Sequence, residues 1–531
     1  MRTKTLLIIS LLLTGFLYHS CSDLEAEVHS EITPESFYQT DVQLAAAAAA
    51  AYTPLYGYWG LFEEQDITTD QSTCPIRTNG GWNDGGLWPR LMRHEFNERD
   101  FVNGEWTKWF GGVASCNRLI EIFEANVGED APIISELRAL RAFYYFKLLD
   151  LFGNVPIETE FAEADAAPSQ SSPSEVFTFI EQELIESIPN LREEKNIETY
   201  GKMNKWAAYT LLADLYINAE RFDAGPHYQE AAGAANEVIN SGAYSLESGY
   251  FKNFRVENED SNENIFVVPY DKNNARGLVI WSGALNQSAR PTYGLVGQPW
   301  GGFSIQEDFY NAFDENDKRR GMFIVGQQYT GEAQPIWTDT DGFFYNNPQP
   351  EFELVDCTED FNRALPEELE EKPIDCNIFI TPEISLTSAR GIAYYREGAR
   401  YGKYEIELNS GQRNYSNDFA IYRFAHVLLM RAEGLWRQDN GSAEALNLVN
   451  QVRARAGLDA LTVLSEDDLY WELKKELAME NHARPITIRF GHWEDAWFLK
   501  EANPGELFKR FYPIPQLQLQ SNVNLVQNPG Y

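Results

Sequence analysis

Apolar residues recur at helical spacing in two separate blocks of this chain, and no other feature narrows its fold as much. Leu137, Leu140, Tyr144, Leu148 and Leu151 follow one another at offsets of three and four, which lines one face of a helix. Gly153 and Pro156 then stop it, the punctuation expected at a helix C-terminus. Ser172-Pro173-Ser174-Glu175 is a capping box with proline at the first helical position, opening a helix through Val176, Ile180, Leu184 and Ile188. Residues 206–216 and 228–239 form a helix pair. In the second block Ile421, Ala425, Leu428, Ala432 and Leu435 mark one helix. Residues 443–455 mark its partner, ending at Gly457, and Leu469, Leu473 and Leu477 mark a third.

Tyr209, Ala213 and Tyr216 have the offsets of a tetratricopeptide first helix. Small Ala213 and Ala432 sit where paired helices cross closely. Stacked pairs bury a shared core and leave a long outer surface that commonly serves protein partners. Residues 246–417 are a different material, rich in Gly, Asn, Pro and aromatics, with short alternating stretches at 253–269 and 401–408 that read as strands. The predicted fold is therefore mostly α: a tetratricopeptide-like helical-pair body with a long, loop-rich, aromatic-rich insertion containing minor β structure. Its divisions are 1–20, 21–245, 246–417 and 418–531. The C-terminal tail starts at residues 512–515 (YPIP) and closes on residues 527–531 (QNPGY). Its prolines argue against helix or central strand, and its final aromatic predicts a terminus tied to the body.

Residues 1–20 carry Arg2 and Lys4, a short apolar run from Leu6 to Leu17, and small Ser20 before Cys21, the plan of a secretory signal too short to span a membrane. The Ser20-Cys21 junction resembles a lipobox, with Tyr18 where stricter examples have Leu, and predicts Cys21 as an acylated N-terminus. The acidic Ser22-Asp23-Leu24-Glu25 resembles an export tag for the outer face. The formal charge of −37 rules against nucleic acid and against long-range steering of an anionic substrate. A hydrophobic content of 44% with 14% aromatics supplies a large core rather than a disordered acidic tail. Among the remaining cysteines, Cys357 and Cys376 enclose a polar, proline-containing loop and are a candidate disulfide, worth on the order of 3 kcal/mol. Cys116 reads as a small buried helix residue. No Cys-x-x-Cys or His-x-x-x-His spacing supports a structural metal, and no cofactor motif is present.

Catalytic patterns are missing too. There is no Gly-x-Ser-x-Gly elbow, His-Glu-x-x-His or phosphate loop. Asp339-Thr340-Asp341-Gly342 lacks the further ligands of a calcium loop and reads as a tight turn. What stands out are aromatics framed by glycine. Sugars present an apolar C–H face that an indole covers without metal or proton transfer. Residues 79–86 (NGGWNDGG) surround Trp82 and Asn83 with four glycines, and Trp281, Tyr293 and Trp300 lie on a second glycine-rich segment. Trp106, Trp109, Trp206, Trp471, Trp493 and Trp497 sit in helical contexts and read as core.

Several motifs, in order, resemble the SusD/RagB family of surface nutrient-binding lipoproteins. They are residues 137–146 (LRALRAFYYF) running into 151–156 (LFGNVP), residues 423–433 (RFAHVLLMRAE) with 450–457 (NQVRARAG), residues 476–480 (ELAME) with 488–491 (IRFG), and the tail. Pro485 and Ile486 depart from the family pattern. The resemblance covers nearly the whole mature chain. It implies a non-catalytic, outer-membrane lipid-anchored protein facing the exterior. Such a protein binds oligosaccharides (peptides in RagB-like branches) as a lid over a SusC-like TonB-dependent transporter. It also implies an Asp and Arg near the ligand, at Asp70 and Arg77 here. A surface glycoside hydrolase and a plain tetratricopeptide scaffold are the competing classes. Composition and resemblance together assign the helices to the transporter and the aromatic loops to the ligand.

Overall fold

The computed structural model describes residues 40–60, 65–77, 81–129, 131–161, 167–331, 337–338, 344–345, 376–377, 379–384, 392–393, 395–411 and 414–531. Cys21, Cys357 and residues 339–342 fall outside these, so the anchor, the candidate disulfide and the acidic turn do too. Residues 1–44 form one unit and residues 45–531, which hold both helical blocks, another.

The first block folds as α1 (Val102–Val127), α2 (Pro132–Phe152), α3 (Pro173–Ser187), α4 (Lys205–Ile217) and α5 (Tyr228–Ser241). The second gives α6 (Phe424–Gln438), α7 (Ala443–Ala456), α8 (Glu466–Glu476) and α9 (Ala483–Arg489). The starts and stops have local causes. Ser172 and Glu175 form the reciprocal capping box of α3, Ser465 and Asp468 that of α8, and Gly457 closes α7 in the left-handed region. Neighbours pack in order, α1 on α2, α2 on α3 and α4 on α5, and α5 then packs on α6, which joins the two blocks. Gly434 permits that join: a Cβ there would lie 2.7 Å from the Tyr228 carbonyl oxygen. Ala213 and Ala432 are both fully buried, and Cys116 is a buried residue of α1.

Three expectations need correction. Ile421 belongs to a strand, Phe419–Arg423, which pairs antiparallel with Asn264–Val268; α6 begins only at Phe424. All residues of both strands are buried, and β-branched and aromatic side chains fit a doubly covered strand as well as a helix face. The tail does contain a helix, Gln516–Ser521, because Pro515 precedes it at the N-cap and no proline follows within it. Of the expected strand over 401–408, only Tyr401 is in a strand, Arg400–Tyr401. The tail is tied down at α2. Tyr512 donates its N–H to the Leu151 carbonyl (2.7 Å), and the Asn528 amide donates to the carbonyls of Phe152 (2.8 Å) and Tyr512 (2.7 Å).

Between the middle segment and the second block lies a buried ionic core. Arg423 donates to both oxygens of Glu480 at 2.6 Å, to Glu263 at 2.5 Å and to Glu476 at 3.1 Å. Arg319 meets Asp317 at 2.9 Å, Glu472 at 2.6 Å and Glu476 at 3.3 Å. Arg455 joins Glu263 at 2.9 Å and also contacts Glu476, and Lys403 meets Glu480 at 2.5 Å. Burial alone would raise the Glu476 carboxyl, but Arg455, Arg423 and Arg319 outweigh it and bring it down to about 2. Thus Arg423, Arg455, Glu476 and Glu480, drawn from three of the sequence motifs, meet at one place.

Candidate functional site

The Trp82 loop is held open by its own backbone. Trp82, Asp84, Gly85 and Gly86 all take positive φ, with right-handed Asn83 between the first two, and the chain turns sharply into the helix Leu87–Met92. Trp82 at φ 64° is unusual for a bulky residue, a conformation costing about 1–2 kcal/mol that its surroundings must impose. They do so from several sides. The Arg77 N–H bonds to the Gly81 carbonyl at 2.9 Å, the Arg90 guanidinium to Gly85 at 2.9 Å, and the Trp88 indole N–H to Asp84 at 2.5 Å.

The loop does not stand alone. Trp82 donates its indole N–H to the Trp300 carbonyl at 3.1 Å and packs against Trp300 (6.5 Å between ring centroids), Phe303 (5.0 Å) and Trp88 (6.0 Å). Its ring lies flat over Gly302, where a Cβ would fall 2.2 Å from the indole; only glycine leaves room. Trp82 and Trp300 are half-buried, while Trp88 and Phe303 are buried beneath them. Two glycine-framed tryptophans from distant parts of the sequence therefore form one partly exposed aromatic surface. Asn83 is exposed beside it, and the Gln287 amide bonds to the Trp300 carbonyl at 3.3 Å.

The turn carrying Trp300 is fixed from below. The Trp300 N–H bonds to the Ser282 carbonyl at 2.6 Å, and those of Gly302 and Phe303 to Gly283 at 2.9 and 3.1 Å. Arg77 donates to the carbonyls of Gly302 (2.7 Å) and Glu397 (3.1 Å) and to the Ser304 hydroxyl (2.7 Å). Arg400 donates to the Phe303 carbonyl (2.7 Å) and the same hydroxyl (2.6 Å). Burial first, and the neighbouring Arg77 charge second, hold the Arg400 guanidinium well below the usual arginine range.

These positions revise the sequence-based set. Trp281 is fully buried against Tyr404 and Tyr415 and offers no face to a ligand; its helix, Ile280–Ala284, supports the Trp300 turn from inside. Arg77 is fully buried as well, and in this structure it holds backbone rather than facing solvent. Asp70 is half-buried and ion-paired to Lys474 of α8 at 2.5 Å, with Tyr470 donating to it at 3.4 Å. Tyr293 is half-buried on the short helix Arg290–Tyr293, where burial raises its phenol, and it makes no ring contact with either indole among the described residues. Sequence reasoning missed Trp88 and Arg400. Trp88, six residues after Trp82, was within reach of the loop argument; Arg400 carried no local signal.

Two family models match the chain: one for the SusD family over residues 262–484, the other described as starch-binding, associating with the outer membrane, over residues 28–217. The starch-binding protein SusD of Bacteroides thetaiotaomicron is 24% identical, covering 75% of this chain and 72% of its own length. SusD-like protein P25 of Formosa agariphila is 24% identical over 97% of each chain. Among solved structures, a laminarin-binding SusD-like protein superposes with a TM-score of 0.68 at 24% identity, covering 93% of this chain and 100% of its own. Surface glycan-binding protein A from Bacteroides thetaiotaomicron, in complex with laminarihexaose, gives a TM-score of 0.68 at 21% identity over 92% of this chain and 100% of its own. With SusD-type models matching on both sides of the α5–α6 join and the fold shared along almost its whole length, the chain belongs to the SusD family.

Proposed function

We propose that this protein captures oligosaccharide at the outer membrane, without chemically altering it, on a surface built from Trp82 and Trp300. The observation that carries this reading is the pair itself: two half-buried indoles, 6.5 Å apart and tilted by 47°, on backbone fixed by buried arginines. A tilted pair can follow the curve of a bent glycan chain, each ring covering one sugar's C–H face. Each such contact is worth about 1–3 kcal/mol, which suits a protein that must release what it holds. The starch-binding and laminarin-binding relatives support saccharide as the ligand class. Acylation at Cys21, exposure on the cell surface and delivery to a SusC-like TonB-dependent transporter complete the proposal.

Calorimetry on Trp82→Ala tests the site. Affinity for the best glycan of a panel should fall by about 1–3 kcal/mol with the fold intact. Unchanged affinity in a folded variant would sink the assignment of this surface. Turnover of the glycan by purified protein would favour a hydrolase, and retention of peptides alone would favour a RagB-like ligand.

A further inference from the structure

A cavity of about 870 Å³, well within the size of small-ligand clefts, shares no residue with the tryptophan surface. It is walled by residues 248–252 and Arg255, by Lys318 and Gly321 of the turn Lys318–Met322, by Gly402, Lys403 and Glu405, and by Arg455 of α7. Its floor is the ionic core, where charge is already matched: Lys403 by Glu480 at 2.5 Å and Arg455 by Glu263 at 2.9 Å. Lys252 is likewise matched, by Glu247 at 3.0 Å.

Arg255 and Lys318 differ. Both are exposed, and no ion pair or hydrogen bond engages either charged group among the described residues. In a chain with 80 carboxylates against 43 lysines and arginines, two uncommitted cations on one cavity run against the composition. The carboxylate that lines the same rim, Glu405, accepts the Val256 N–H at 2.9 Å. Beside the cations, half-buried Phe251 packs edge-on against buried Tyr250 at 5.1 Å. Its ring runs along Gly321, where a Cβ would meet it at 3.3 Å. An apolar ring, two free cations and Ser248 on the walls of one cavity suit a sugar bearing an anionic group.

We propose that this cavity is a second ligand subsite, taking an acidic saccharide whose carboxylate or sulfate ester is met by Arg255 and Lys318 while its C–H face lies on Phe251. The saccharide part rests on the glycan-binding reading above; the anionic part rests on this cavity alone. The charge of −37 does not oppose it at contact, because physiological salt screens the whole-chain field beyond roughly 8 Å and leaves the nearest charges in control. That field slows the arrival of an acidic ligand without loosening its grip.

The test is calorimetry of the full chain with oligogalacturonate, a sulfated galactan oligosaccharide and a neutral laminari-oligosaccharide, on wild type, the double variant Arg255→Ala/Lys318→Ala, and Trp82→Ala. The double variant should lose about tenfold or more in affinity for one acidic oligosaccharide, with a flatter salt dependence, while its neutral-ligand affinity holds. The acidic ligand that responds identifies the anion. Both replaced side chains are exposed, so a matching thermal melt establishes that the loss is local. If no acidic oligosaccharide binds wild type, or the double variant binds it as well as wild type, the subsite is overturned. Loss of neutral binding in Trp82→Ala alongside that outcome would leave the proposed function standing. Acidic binding that needs Arg255 and Lys318, with no neutral binding anywhere, would keep the subsite and remove the tryptophan surface.

Discussion

Two groups of buried arginines divide the work of this molecule. In the ionic core Arg319, Arg423 and Arg455 are surrounded by carboxylates, and their charges cancel within the protein. Under the tryptophan surface Arg77 and Arg400 donate to main-chain carbonyls and one serine hydroxyl. A guanidinium among carboxylates fixes how helices and strands meet, because removing one partner strands a buried charge. A guanidinium among carbonyls fixes the path of a loop, since its fork reaches several peptide groups at once. The first arrangement sets the architecture; the second presents Trp82 and Trp300.

The sharpest way to break this contrast is Glu476→Gln. Glu476 bonds to Arg319, Arg423 and Arg455, so its neutral replacement should cost about 3–5 kcal/mol in chemical denaturation, with glycan affinity preserved in whatever folds. A loss below about 1 kcal/mol would show that the core is not what locks the middle segment to α8.

Gly302→Ala examines the other side. A methyl there must displace the Trp82 ring, so glycan affinity should fall by about 1–3 kcal/mol, matching Trp82→Ala, with a smaller change in melting temperature. Full affinity in this variant would mean that the seat of Trp82 on Gly302 is irrelevant to binding.

Two buried carboxyls refine the comparison through pH. Glu476, held down at about 2, contributes stability above its unfolded value near 4.5 that is lost as pH falls toward 2. Asp66 is the reverse. Burial pushes it up to about 7 against the partial relief of Lys474 and Lys403, and one of its oxygens has no hydrogen-bond partner among the described residues. Its cost to the fold therefore grows as pH rises from about 3.8 to about 7. Asp66→Asn should stabilise the protein by about 1–2 kcal/mol at pH 8 and by nothing measurable below pH 4. The same gain at both values would mean that packing, not charge, is responsible.

The helices were legible because each carries its own stop and start. Gly153, the Ser172–Glu175 box and Gly457 act within a few residues, and the structure places each of them at a helix end. Phe419–Arg423 was not, since a short strand buried on both faces has no period to distinguish it from a helix. The aromatic surface was half legible. Glycine around Trp82 and Trp300 marked both residues, yet nothing local separates Trp300 from Trp281, which the fold buries completely. The ionic core was out of reach, because 80 carboxylates give every arginine many apparent partners. Only the fold selects Glu263, Glu476 and Glu480 for Arg423.

The attachment of the tail to α2 has a consequence for how the chain is made. The carbonyls of Leu151 and Phe152 are satisfied by Tyr512 and Asn528, which leave the ribosome some 360 residues later. Until then the end of α2 stays open and the N-terminal helices lack their closing partner. A chain wired in this way reaches its final state as a whole rather than piece by piece during synthesis. Closing that end waits for the whole chain, a contact of long sequence separation of the kind that slows folding.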